Sequence, residues 1–179
     1  MAQTTFSGPV KSLNGFIGAG KGNVVSISDA TLTATVADHA GRVVSLNNAT
    51  CIVTLPTISA AADSSVAGPN DYNSGNNIGA TFTFFIETAA TNLDIKTDGT
   101  DKFVGQVLNS NTNATAFSTR CFVPAATNDV LTLNGGTQGG KVGSVVKFTA
   151  LADNKYAVDG LLIGPSTSDE AVATPFADS

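Results

Sequence analysis

Between residues 24 and 163, apolar and polar residues alternate at period two, the spacing that sends successive side chains to opposite faces of a β-strand. In TLTATV, Leu32, Ala34 and Val36 point one way and three threonines the other. In CIVTL, Cys51, Val53 and Leu55 share a face. ATFTFFIE sets Phe82, Phe84 and Ile86 against Thr81 and Thr83, and SVVKFTA sets Val146, Phe148 and Ala150 against Lys147 and Thr149. Further strand candidates are NVVSIS, RVVSL, NLDIKT, KFVGQVL, TAFSTRCFV, DVLTLN and KYAVDGLLI. Asp98-Gly99, Asn134-Gly135, Gly139-Gly140 and Asp159-Gly160 offer the positive φ that a hairpin reversal needs. No helical pattern of three turns is found. The Ala-rich stretch Ile58–Val66 lacks a cap and runs into Gly68-Pro69. About ten short strands so punctuated predict an all-β, single-domain β-sandwich or jelly-roll-like barrel.

Three segments stand outside the alternation. Residues 1–23 form an N-terminal arm, residues 60–79 a long polar loop, and residues 164–179 an acidic C-terminal arm, leaving 24–163 as the β-domain. Both arms carry spaced apolar residues, which a purely disordered tail avoids. Termini also fray unless something ties them down. The expectation is that Phe6, Pro9, Phe16 and Ile17 in the first arm, and Val172, Pro175 and Phe176 in the second, contact a neighbouring surface as extended arms do. Folding back onto the chain's own barrel is the alternative.

Composition narrows the function. Hydrophobic residues make up 42% of the chain and charged residues only 13%, so its polar skin must come from Thr, Ser, Asn and Gly. That chemistry suits strand faces and tight turns rather than helices. The net charge is −5 and the nine Lys and Arg form no cluster, which argues against a nucleic-acid groove. The opening MAQTTFSGPVKSLNGF lacks the basic start and apolar run of a secretory signal. No apolar stretch approaches the ~18 residues of a membrane-spanning helix. A soluble product of a cytoplasm is expected, with no membrane partner. In that setting Cys51 and Cys121 are expected to remain free thiols in strands.

Each candidate for chemistry has a plainer reading. Gly15–Gly22 and Gly135–Val142 both show the G-x-x-x-x-G-K spacing of a phosphate-binding loop. Gly22 and Val142 stand where a Ser or Thr must hold Mg²⁺, and strand-type sequence follows where a helix is required, so both read as turns. His39 is the single histidine; ADHAG describes a turn, and no nucleophile elbow supplies it with a partner. One His and two separated Cys cannot close a zinc site. Asp94, Asp98 and Asp101 lie close enough to suggest Ca²⁺, but their spacing is not that of an EF-hand and Asp98-Gly99 is itself a turn signal. A glycosidase or lectin cleft needs aromatics, and the chain has no Trp and two Tyr. No catalytic residue, metal or cofactor is expected.

The order LTATVADHAGRVVSL, CIVTLP, GATFTFFIETAATNLDIKT, DKFVG, DVLTLNGG and GSVVKFTALADNKYAVDG resembles a module of phage virion surface proteins. In that module Thr54-Leu55-Pro56 ends one strand and a Lys-Tyr-x-Val strand closes the domain. AQTTFSGPVKSLNGF is similar to the start of structural proteins from marine podovirus-like bacteriophages. The resemblance implies a capsid decoration (cement) protein on the virion's capsid surface, made in the bacterial host cytoplasm. Its implied partners are the major capsid protein and its own copies, commonly as a homotrimer. A tail-fibre, spike or receptor-binding virion module is the alternative.

Overall fold

The structure is a computed structural model that describes residues 23–59, 77–115, 117–166 and 172–179. Its elements in chain order are β1 (Val24–Ile27), β2 (Thr31–Thr33), a single helical turn α1 (Val36–His39), β3 (Val43–Leu46), β4 (Ile52–Thr54), β5 (Thr81–Ile86) and β6 (Leu93–Lys96). There follow β7 (Lys102–Ser110), β8 (Thr119–Phe122), β9 (Val130–Leu133), β10 (Val145–Ala152), β11 (Lys155–Ile163) and β12 (Phe176–Ala177). The strands form a seven-stranded sheet, β1-β3-β5-β10-β11-β7-β8, and a five-stranded sheet, β12-β9-β6-β4-β2. The all-β sandwich expected from the alternation is what forms.

Its connectivity is less ordinary. From β1 to β6 the chain passes alternately between the two sheets, so β1, β3 and β5 are parallel neighbours in one and β2, β4 and β6 in the other. This is a short two-sheet coil, each rung stacked on the last. Corners stack as well as strands: Asn47 N donates to Ile27 O at 2.7 Å, and Glu87 N to Leu46 O at 3.0 Å. From β7 onward the winding changes. β9 closes the coil antiparallel to β6, and β10 does so antiparallel to β5.

Register makes the core. Val25, Val44, Phe84, Val146, Gly160, Val107 and Phe122 form one cross-strand row on the inner face of the larger sheet. Leu32, Val53, Ile95, Leu131 and Phe176 form the facing row of the smaller sheet. Between them Phe103 packs against Phe148 with ring centroids 5.1 Å apart, and Phe148 meets Phe84 edge-on at 6.0 Å. Tyr156 is fully buried and donates its hydroxyl to Pro56 O at 2.6 Å, so the polar tip of a core aromatic has a partner.

Several expectations change. Asp159-Gly160 is no turn: it lies inside β11, where Val145 O stands 2.9 Å from the place a Cβ of residue 160 would take. The reversal between β10 and β11 instead uses Asn154, at φ 64°, in line with the tolerance of Asn for that region. The other three glycine pairs do sit in loops, but these join strands of different sheets rather than hairpins. Val36 leaves the face of Leu32 and Ala34, because Thr35 caps α1 by accepting from Asp38 N at 3.2 Å.

The C-terminal segment differs most. Val172, Pro175 and Phe176 were expected on a neighbouring surface, yet all three are buried in the chain's own body. Phe176 fills the end of the smaller sheet's inner row, 6.4 Å from the Phe103 ring, and β12 pairs with β9. Polar contacts latch it: Thr132 N donates to Pro175 O at 2.7 Å, Asp129 N to Ala177 O at 3.2 Å, and Ser179 N to Asp129 Oδ1 at 2.8 Å. Such a segment satisfies an otherwise open sheet edge. Phe6, Pro9, Phe16 and Ile17 lie outside the described residues.

Phe176→Ala should therefore lower stability by roughly 3–5 kcal/mol, the usual cost of emptying a buried Phe site. Chemical denaturation measures it; an unchanged midpoint would show that the segment is not part of the core.

Candidate functional site

Chemistry-bearing side chains are dispersed. His39 is buried in α1, where its Nδ1 accepts from Thr35 N at 3.0 Å. Gly135–Val142 is the loop from β9 to β10, organised by Asn134 Oδ1, which accepts from Gly136 N and Gln138 N at 2.9 Å. At Gly135, φ is +68° and a Cβ would stand 2.2 Å from Ala90 O, so this glycine serves a close backbone approach. The loop leads into β10, a strand. The other such stretch, Gly15–Gly22, lies outside the described residues. Cys51 is buried and Cys121 exposed, and both are free thiols.

The three aspartates that suggested Ca²⁺ do not converge. Asp94 Oδ1 accepts from Thr132 Oγ1 at 2.8 Å, Asp98 Oδ2 from Thr57 Oγ1 at 2.6 Å, and Asp101 Oδ2 from Ile58 N at 2.8 Å. No metal-holding cluster is present among the described residues. Asp101 is 1% exposed and its Oδ1 has no hydrogen-bond partner. Burial pushes its carboxyl above the ordinary value, and the nearby Asp98 and Asp153 add to that. Tyr156 is pushed up for the same first reason, with Asp101 and Asp98 contributing. Asp129 goes the other way. Burial opposes its ionisation, but the hydrogen bond from Lys102 at 2.6 Å and those from Ser179 outweigh it and hold the carboxyl below its ordinary value.

What the fold does gather is a surface. On the outer face of the larger sheet, Phe85, Val145, Leu161, Leu108 and Cys121 stand side by side across β5, β10, β11, β7 and β8. Leu161 is 54% exposed and Leu108 40%. The next row carries Val43, Thr83, Lys147, Asp159 and Gln106, with Lys147 and Asp159 directly opposite each other. A shallow depression between the rows is lined by Thr83, Leu108, Val145, Lys147, Asp159, Gly160 and Leu161. Phe117 and Val123, 72% and 68% exposed, flank β8 at one edge.

The smaller sheet's outer face is different. Its rows read Thr31, Ile52, Asp94, Thr132 and Thr33, Thr54, Lys96, Val130, Ala177, so polar side chains predominate. A scattered exposed apolar residue needs no explanation, whereas a contiguous apolar row is a candidate interaction surface. Covering roughly 200 Å² of such surface contributes about 5 kcal/mol. The sequence reading assigned contact to the arms and missed this row. Its signal was present in the apolar residues at the nominally outward positions Phe85, Val145, Leu161 and Leu108.

Comparison with protein-family models, with curated proteins and with solved structures finds no match for this chain.

The two aspartates give opposite pH dependences. Asp101 is raised, so the stability its proton supplies is present below about pH 3.9 and is lost as pH rises through the folded-state value. Asp129 is lowered, so its contribution is present above about pH 3.9 and is lost as pH falls through its folded-state value. Asp101→Asn keeps an acceptor for Ile58 N and removes the buried charge. At pH 7 this variant should withstand more denaturant than the parent, and the gap should close in acid. A lower midpoint at pH 7 would contradict the reading of Asp101 as a carboxylate whose burial outweighs its backbone hydrogen bonds.

Proposed function

We propose that this chain is a structural protein that works by association rather than catalysis, and specifically a capsid decoration protein. In this reading it binds the outside of a shell of major capsid protein and stabilises it. The observation that supports association is the contrast between the two outer faces: one polar, the other crossed by an apolar row over five adjacent strands. The resemblance of the sequence to phage virion surface modules supplies the kind of assembly and the capsid-surface location. The N-terminal segment, with Phe6, Pro9, Phe16 and Ile17, is assigned to the shell, and the apolar face to association between proteins. A protein that binds the assembled shell and not its dissociated parts stabilises the shell by mass action.

The second reading, a tail-fibre or spike module, is favoured by the β1–β6 coil. Rungs stacked in parallel are the geometry of elongated repeat structures, which grow along one axis.

Purified shells test the first reading. The full chain should sediment with shells and raise the temperature at which they break open, while a form lacking residues 2–17 stays folded by circular dichroism and remains in the supernatant. Equal survival of bare and coated shells would remove the stabilising role. Antibody against the chain that decorates the tails of whole particles instead of their shells would favour the second reading.

A further inference from the structure

The apolar face has a symmetry that its register makes visible. The strand order β5-β10-β11-β7 is centred on the β10–β11 pair, and residues equidistant from that centre are chemically matched. In one row Phe85 and Val145 lie on one side, and Leu161 and Leu108 on the other. In the adjacent row Thr83 and Lys147 are answered by Asp159 and Gln106.

We propose that a second copy of this chain covers this face, related by a two-fold axis that lies in the interface and runs along the strands between β10 and β11. This rests on the reading of the face as an association surface and names its occupant. Such an axis sets Lys147 of each copy over Asp159 of the other, twice, and Val145 over Leu161. It sets Phe85 over Leu108 and Thr83 over Gln106. A surface that is its own complement in both charge and apolarity is what an isologous pair requires. Strand directions in the two stacked sheets are then aligned, the usual arrangement for sheets packed face to face.

The size suits a reversible pair, at the small end of specific interfaces. Strands about 4.8 Å apart and rows about 6.8 Å apart give the face roughly 600 Å² of flat area before side-chain relief. A stable pair buries about 800 Å² per partner. The charged row works against other arrangements, because a second copy shifted by one strand places Lys147 over Lys147 or Asp159 over Asp159.

Sedimentation equilibrium and native mass spectrometry of the full chain test this, with Lys147→Glu, Asp159→Lys and the double variant beside the parent. Both side chains are exposed, so the fold should be retained, and thermal unfolding checks that. The parent should be a dimer. Each single variant places like charges face to face and should weaken the dimer about tenfold or more. The double variant restores opposite charges and should regain most of the affinity. A parent that is monomeric at every concentration, or trimeric, overturns the proposal, as does a double variant no tighter than the singles. If the charge variants leave self-association unmoved while Leu161→Lys abolishes shell binding, the second copy is excluded and the association surface stands.

Discussion

Phe84 lies on an interior strand of the larger sheet, and its side chain points inward only because β5 is held in one register between β3 and β10. Slipping that register by one residue would bring Thr83 and Phe85 to the core and send Phe82, Phe84 and Ile86 to solvent, since side chains in a strand alternate strictly. The same register carries through seven strands on one side and five on the other, because every neighbour is fixed to the next. The aromatic cluster of Phe84, Phe148, Phe103 and Phe176 exists only when both sheets keep it. The outer face inherits its rows from the same constraint, so the proposed association surface is a consequence of core packing rather than a separate device.

Strand positions were legible in the sequence wherever one face is buried and the other wet. The inward faces of CIVTL, ATFTFFIE and SVVKFTA are those that alternation predicts. Which strands pair was not legible. Nothing local distinguishes a strand that stays in its sheet from one that crosses to the other, and the β1–β6 coil depends on pairings between rungs far apart in sequence. Asp159-Gly160 misleads for a related reason: glycine serves turns and close backbone approach alike, and only the neighbour at Val145 decides. Phe176 misleads because an apolar residue in a polar tail says that it will be covered, not by what.

The candidate site was half legible. Phe85, Val145, Leu161 and Leu108 were visible as apolar residues at outward positions, but their alignment into one row needs the β5-β10-β11-β7 order. Charge tells the same story. With charged residues at 13% of the chain, the pairing of Lys147 with Asp159 across two adjacent strands stands out only once the register is known. The larger sheet thus combines an in-register platform with an apolar row and two opposite charges at facing positions of β10 and β11. In the proposed association the apolar row supplies affinity and the charges fix the orientation.

Cys121 offers a direct probe of that face, since it ends the apolar row while Cys51 is buried in the core. The measurement is the rate of thiol alkylation as protein concentration is raised through the range in which the chain associates. The expected result is that Cys121 becomes protected as association proceeds and that Cys51 stays unreactive throughout. A Cys121 that reacts equally fast in the dissociated and associated protein would contradict the assignment of the larger sheet's outer face as the association surface.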